Sequence, residues 1–323
     1  MTVRVGVIGV GNMGRHHVRV YSQISKVKLV GVYDSSETNM DRVARDFSVK
    51  SFPTVDALLD ETDAVSIAVP TSLHHELGLQ CLRRKKHVLM EKPIAKNLEE
   101  AIDLVNAANR NEAVLQVGHV ERFNPAYQEL KKILAGEAVR AVDIRRLSPF
   151  DGRITDADVV LDLMIHDIDI IQDLIGRQFK TLTAVGCSTK SSESADHAVA
   201  LFQYPDACMV SLTASRITEQ KVRELTAVTD SAYITTDLMD RKITISRRTN
   251  LSYSPFGQEL KYRQENIIEK VHVPNVEPLT VQLNSFISCI INQQRPLVTG
   301  EDGLSALKIG NEVQQRIYGN QAV

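Results

Sequence analysis

The chain has no CxxC pair: its four cysteines, Cys81, Cys187, Cys208 and Cys289, are scattered through 323 residues. Zinc and redox motifs find no support in that spacing, so no metal is expected and reduced core thiols are the default. An excess of positive charge is also missing. Lys and Arg total 38 against 40 Asp and Glu, a net charge of −2, whereas binding to a phosphate backbone leaves a basic surplus. Nucleic acid is therefore not an expected partner. Apolar runs such as Ala64 to Pro70 fall far short of the roughly 20 residues a membrane helix needs, and Gly interrupts the opening MTVRVGVIGVGNMG throughout. Neither a signal peptide nor an anchor is expected, and the chain reads as cytoplasmic. Repeats and low-complexity tracts are absent, and 43% hydrophobic with 24% charged residues excludes disordered, collagen-like and coiled-coil chains.

What is present reads as two domains, since the length exceeds the roughly 100–200 residues of one. Over residues 1–122, short β-branched runs at Val3–Ile8, Val27–Tyr33, Ala64–Val69, His87–Met90 and Val114–Val117 alternate with amphipathic stretches at Thr38–Phe47, His74–Arg84 and Leu98–Asn109. That alternation predicts an α/β Rossmann domain with a buried parallel sheet. Residues 123–323 differ in texture. A helix is predicted at Pro125–Leu134, followed by closely spaced strands at Ala198–Tyr204, Ala207–Ala214, Glu224–Val228, Ala232–Thr236 and Lys242–Ser246. With the amphipathic Leu161–Ile175 packed on them, they predict an α+β domain with a largely antiparallel open sheet. Residues 302–318 read as a helix that can return to the first domain, and 247–265 carry no assignable pattern.

Directly after the first strand stands Gly9-Val10-Gly11-Asn12-Met13-Gly14, a GxGxxG opening a helix. The first Gly permits the tight turn, the second lets backbone approach a pyrophosphate, and the third lets helix pack on strand. The helix N-terminus adds unpaired N–H groups and a positive dipole end for the phosphates. At the end of the second strand Asp34 can accept hydrogen bonds from both ribose hydroxyls. Its charge would repel a 2′-phosphate, and Ser35 and Ser36 follow it rather than Arg, so NAD is favoured over NADP. Two observations keep the other reading open: Ser35 and Ser36 can simply cap the next helix, and Arg42 is close enough in sequence to serve a phosphate.

Pro70 to His74 and Glu91-Lys92-Pro93 follow the third and fourth predicted strands, at the carboxyl edge where open α/β sheets bind ligands. These segments, with the GxGxxG, Asp34, Gln116-Val117-Gly118, Arg122-Phe123-Asn124-Pro125 and the stretch from Asp162 through His166 to Asp169, resemble the Gfo/Idh/MocA family of NAD(P)-dependent oxidoreductases along almost the whole chain. The resemblance implies a catalytic group of Lys92, Asp162 and His166. On a helix, Asp162, His166 and Asp169 would share one face. His166 is the candidate base for the hydroxyl proton, Lys92 would stabilise the developing alkoxide, and Asp162 would orient His166 or pair with Lys92. Asp167 and Asp169 can instead pair with surface arginines, and Asp158 stands where many relatives carry Gly.

Cofactor contacts are expected from Gly9, Gly11, Asn12, Met13, Gly14, Asp34 and Ser35, and further ones from Pro70, Thr71, His74, Glu91, Lys92, Gln116 and Arg122. Substrate contacts are expected from Lys92, Arg122, Asn124, Arg153, Asp162 and His166. Within the family, the segment from Ser148 to His166 is most similar to bacterial UDP-N-acetylglucosamine 3-dehydrogenases. That likeness implies a nucleotide-sugar substrate, a 3-keto product used by a PLP-dependent aminotransferase in lipid A or surface-glycan synthesis, and a homo-oligomer. Arg122, Arg145, Arg146, Arg153 and Arg216 are available as cations for the diphosphate. Two alternatives stand beside it: an inositol or aldose dehydrogenase of the same family, and a non-catalytic NAD-sensing regulator.

Overall fold

The computed structural model describes residues 2–150, 158–176, 178–189, 194–248, 252–256, 259–263 and 266–319. They form two units, one of residues 1–123 with 276–311 and the other of residues 124–275 with 312–323. In the first unit the apolar runs become β1 (Val3–Ile8), β2 (Val27–Tyr33), β4 (Ala64–Ile67), β5 (His87–Met90) and β6 (Leu115–Val117), and a polar two-residue strand that the sequence reading did not predict, β3 (Lys50–Ser51), joins them. All pair in parallel, in the order β3-β2-β1-β4-β5-β6, the arrangement of a dinucleotide-binding sheet. Between them run α1 (Asn12–Tyr21), α2 (Glu37–Phe47), α3 (Val55–Glu61), α4 (His74–Arg83) and α5 (Leu98–Arg110). The sequence reading passed over α3, which is only seven residues long. Its signal was Thr54, whose hydroxyl accepts from Ala57 N at 3.2 Å and so caps the first turn.

The second unit opens with α6 (Pro125–Leu134) and β7 (Val139–Leu147). A π-helical turn at Val160–Met164 then leads into α7 (Ile165–Ile175). After it come β8 (Thr181–Cys187), β9 (His197–Gln203), β10 (Met209–Ser215), β11 (Val222–Thr229), β12 (Ala232–Asp237) and β13 (Lys242–Arg248). The hairpin β14 (Ser252–Phe256) and β15 (Glu259–Arg263) precedes β16 (Asn266–Val271). Eight strands form one sheet in the order β16-β13-β12-β11-β7-β10-β9-β8, antiparallel except where β7 runs parallel to β10. β7, β8 and β16 were not among the strands expected from the sequence. β7 alternates charged and apolar residues, with Arg140, Asp143, Arg145 and Arg146 masking its period to the eye.

The two faces of this sheet differ. Ala198, Ala200 and Phe202 on β9 are buried together with Val210 and Leu212 of β10 and Val142 and Ile144 of β7, on the face that α6 and α7 cover. The register places Val185, Leu201, Met209 and Tyr233 on the opposite face, where they are 63%, 53%, 61% and 49% exposed.

The chain returns to the first unit with α8 (Pro278–Asn292), although the sequence reading placed this stretch in the second domain. Leu279, Leu283, Phe286 and Ile287 join one core with Val5, Val7, Val18 and Tyr21. Sequence periodicity shows that a helix has an apolar face and not which sheet that face meets. The last helix, α9 (Gly300–Gly319), begins in the first unit, and its residues from 312 onward belong to the second. There Tyr318 Oη accepts from Ala195 N at 3.0 Å and donates to Asp158 Oδ2 at 2.8 Å. Among the described residues no helix is long and apolar enough to cross a membrane.

His119 is 1% exposed, and burial, with the charges of Lys92 and Arg122 adding to it, pushes its pKa from 6.5 down to about 3. The folded chain therefore binds fewer protons than the unfolded chain between those limits, so stability is complete above pH 6.5 and declines as pH falls toward 3. Lowering the pH from 6.5 to 5 is expected to cost about 2 kcal/mol through this residue. Urea unfolding at both pH values, with His119→Asn showing a correspondingly shallower dependence, measures it; equal slopes would remove His119 as the source.

Candidate active site

The Gly-rich turn forms because only glycine fits it. Gly9 has φ of +83°, and a side chain there would bring Cβ within 2.6 Å of Ala68 O. A Cβ on Gly14 would lie 1.8 Å from Gly9 O, so the first turn of α1 packs directly on the turn before it. Nothing stands within 4 Å of the corresponding point on Gly11, which is exposed and caps α1 without a side-chain acceptor. The first amides of α1 thus face open space, with Asn12 and Met13 exposed beside them. Asp34 closes the turn: Oδ2 accepts from Val10 N at 2.6 Å and Oδ1 from Ser36 N at 2.8 Å. Each carboxylate oxygen keeps a further lone pair for a ribose hydroxyl. A bare helix end, a close-packed Gly turn and a strand-end carboxylate together fit the adenosine diphosphate half of NAD.

The rest of the turn region is ordered as follows. Ser35 is exposed, while Ser36 caps α2 by accepting from Asn39 N at 3.3 Å. Arg42 bonds Asn39 Oδ1 at 3.2 Å on the exposed side of the same helix.

At the carboxyl ends of β4 and β5, Pro70 is exposed, Thr71 half-buried and His74 buried. His74 bridges the two turns, with Nδ1 2.8 Å from Pro93 O and Nε2 3.0 Å from Val69 O. Burial lowers its pKa against the opposing pull of those carbonyls. Its ring thus braces the two turns against each other. Glu91 is likewise tied within the protein. It is 8% exposed, with Oε1 3.1 Å from His17 Nε2 and Oε2 accepting from Lys92 N at 3.3 Å. Lys92 itself is half-buried, and its bond to Pro93 is cis. The sequence reading missed His17, whose only signal was its place three residues after Gly14 on the inward face of α1.

In the second unit, Asp162 and His166 are both half-buried on the helical segment that starts at Val160. The π turn changes the expected geometry, because its i→i+5 bonding means that the spacing from 162 to 166 is not that of a regular α-helix. Asp158, where the sequence reading noted a departure, starts this segment. Its Oδ1 accepts from Val160 N at 3.1 Å and Leu161 N at 3.0 Å. One residue past His166, Asp167 forms an ion pair with Arg146, with Nη2 to Oδ1 at 2.7 Å and Nε to both oxygens at 3.0 Å. Both side chains are almost fully buried, at 3% and 1% exposure, so this is no pairing with a surface arginine.

Other expected contacts are drawn inward. Gln116 is completely buried and donates to Gln282 O at 3.3 Å. Arg122, 5% exposed, donates to Leu297 O at 3.3 Å. Asn124 caps α6, accepting from Ala126 N at 3.0 Å and donating to Leu238 O at 2.9 Å. Arg216 is spent on Asp196 Oδ1 at 2.8 Å and Ser194 Oγ at 3.1 Å. With Arg146 it leaves the set of cations open to a diphosphate, because burying a charge stabilises only the geometry that pairs it. Arg145 is exposed on the open sheet face, opposite Glu224. Arg153 lies outside the described residues. A separate cavity of about 870 Å³ opens at the amino ends of the parallel strands, near Val3, His87 and Val114, with Lys86 and Arg295 on its wall.

A parallel sheet in this order, a close-packed GxGxxG and a strand-end Asp define an NAD-dependent oxidoreductase. Residues 3–119 match the family model described as "Oxidoreductase family, NAD-binding Rossmann fold", and residues 139–235 match the "GFO/IDH/MocA C-terminal domain". The chain belongs to the Gfo/Idh/MocA family. It is 37% identical over 246 residues, 76% of its length and 77% of the relative's, to UDP-N-acetylglucosamine 3-dehydrogenase of Acidithiobacillus ferrooxidans. The solved structure of that organism's enzyme, GnnA, superposes with a TM-score of 0.87 at 30% identity, covering 99% of both chains. Inositol 2-dehydrogenase 2 of Saccharopolyspora erythraea is 34% identical over 195 residues, 57% of each chain.

Asp34→Ala removes the acceptor for the ribose hydroxyls and releases the amides of Val10 and Ser36. NAD affinity is expected to fall about 10- to 100-fold, the worth of hydrogen bonds to a charged group, with discrimination against NADP reduced. Calorimetric titration of both cofactors, alongside thermal unfolding of the variant, measures this. Equal affinity of the unmodified protein for NAD and NADP would sink the assignment.

Proposed function

We propose that this oxidoreductase removes a hydride from a secondary hydroxyl of a sugar, and that the group is the 3-hydroxyl of UDP-N-acetylglucosamine. What carries the reading is the likeness to GnnA over 99% of both chains. NAD, when bound, supplies the hydride acceptor. The hydroxyl proton must leave as well, and His166 is the base, an imidazole being the side chain whose ordinary pKa lies nearest neutrality. Asp162, four residues before it in the segment that opens with the π turn, orients the ring. Lys92 stabilises the negative charge that develops on the oxygen. The product would be a 3-keto nucleotide sugar, suited to a PLP-dependent aminotransferase that makes an amino sugar for lipid A or another surface glycan. One observation favours a second reading. With Arg146 and Arg216 committed to buried ion pairs, a polyol substrate that needs no diphosphate site stays in play, as the likeness to inositol 2-dehydrogenase 2 suggests.

NADH formation measured at 340 nm is expected with UDP-N-acetylglucosamine and not with myo-inositol or free aldoses. Turnover of inositol alone would establish the second reading, and no turnover of any of them would favour a non-catalytic NAD sensor. Lys92→Met and His166→Asn are each expected to lower kcat about 10²- to 10⁴-fold with little change in NAD affinity, and the double variant to lose less than the product of the two. Near-normal turnover in either single variant removes that residue from the catalytic group.

The same reading includes assembly. The open face of the eight-stranded sheet exposes Val185, Leu201 and Met209 on the neighbouring strands β8, β9 and β10, and Tyr233 farther along on β12. A second copy pairing through it would take this apolar surface out of water. Light scattering at micromolar concentration is expected to give a homo-oligomer; a monomer refutes it.

A further inference from the structure

His17 and Glu91 form a buried pair to which the reaction above gives no part. His17 is fully buried on α1, three residues beyond Gly14, and its Nε2 lies 3.1 Å from Glu91 Oε1. Its Nδ1 has no partner among the described residues. A carboxylate can only accept, so the ring hydrogen sits on Nε2, and the ring's one bond goes to Glu91. The other carboxylate oxygen accepts from Lys92 N at 3.3 Å. A third side is closed by Gly118, where an added Cβ would come within 2.9 Å of the carboxyl carbon and both of its oxygens. The Glu91 carboxylate therefore has one place to be, and that place fixes the backbone amide of Lys92. One turn along α1, Tyr21 Oη lies 2.8 Å from Ser66 Oγ on β4, the strand beside β5. Two buried polar contacts thus clamp α1 against β4 and against the end of β5 that leads into Lys92.

We infer that His17 and Glu91 are positioning residues: they register the backbone of Lys92 against α1, the helix whose first amides suit the cofactor's diphosphate. The inference rests on the catalytic role proposed for Lys92. Its consequence is that the amine is set by the same helix that would set the cofactor, so that the two are aligned before substrate arrives. Orientation of this kind is worth much of a barrier, and a misplacement of about 1 Å costs on the order of 10²-fold in rate.

The test compares His17→Leu, His17→Gln and Glu91→Gln with the unmodified protein. Three quantities are read: kcat and KM with the best substrate, the NAD dissociation constant by calorimetry, and the rate at which acetic anhydride modifies Lys92 in cofactor-free protein, followed by mass spectrometry. His17→Leu is expected to lower kcat about 10- to 100-fold while NAD affinity stays within about threefold. The Lys92 acetylation rate is expected to change by about threefold or more, and His17→Gln, which returns an N–H to Glu91, to recover most of both losses. A folded His17→Leu protein with unchanged kcat and Lys92 acetylation overturns the inference. So does an equal loss in the Leu and Gln variants accompanied by loss of NAD binding, the mark of a merely structural histidine. Should His17→Leu fail to fold, Glu91→Gln carries the same comparison, since its amide keeps the shape and sets an N–H against one of the two donors. If Lys92→Met keeps its turnover while His17→Leu still alters Lys92 acetylation, the positioning stands and the catalytic role of Lys92 falls.

Discussion

Arg146 and Asp167 are withdrawn from water almost completely, and three hydrogen bonds between them compensate for that withdrawal. Removing water from either charge alone would cost several kcal/mol, so the pair holds only in a geometry that keeps the fork of the guanidinium on the carboxylate. Arg146 is on β7, a central strand of the second sheet, and Asp167 is on α7, beside His166. The helix that carries Asp162 and His166 is thereby locked in rotation on the sheet. Arg216 and Asp196 form a second buried charge pair, reinforced by Arg216 N donating to Asp196 O. Asp158 with Tyr318 anchors the start of the same helical segment.

The first unit solves a different problem, the close approach of backbone to backbone. Gly9 and Gly14 leave no room for side chains, and the turn between them is held by Asp34 through Val10. The geometry that admits a diphosphate is therefore held by the chain's own packing, and the carboxylate suited to the ribose is also part of what shapes the turn. Behind it, His17, Glu91, Tyr21 and Ser66 form a polar layer within an otherwise apolar core. Such a layer is useful because it tolerates one alignment only: shifting α1 by a fraction of a turn would leave buried donors and acceptors unmet.

Both units spend polar side chains inside. Gln116, Arg122, Asn124, Arg146, Arg216, His74 and Glu91 are all of types that suggest ligand contact, and their described partners are backbone groups, buried carboxylates, the Ser194 hydroxyl or the His17 ring, each within the same unit. Lys92, Asp162 and His166, the residues of the proposed catalytic group, are by contrast half-buried.

The parallel sheet, the Gly turn and Asp34 were legible in the sequence because local requirements dictate them. A β-branched run between turn residues has few alternatives as a strand, and a GxGxxG after such a run meets a steric demand that only glycine satisfies. The same holds for Asn97, whose carboxamide accepts from Glu100 N at 2.9 Å to start α5. Residues 139–147 and 278–292 were not legible. Charges obscure the period of the first, and the partner of the second lies more than 250 residues earlier, in α1 and β1. Whether a charged side chain faces a ligand or a buried counter-charge is a matter of which strands become neighbours. Asp167 and Arg146 are 21 residues apart, and His17 and Glu91 are 74 apart. The sequence alone determined the residue types and their local backbone, since steric and hydrogen-bonding rules act over a few residues. Tertiary structure decided which charges were buried, because desolvation depends on the packing of distant segments.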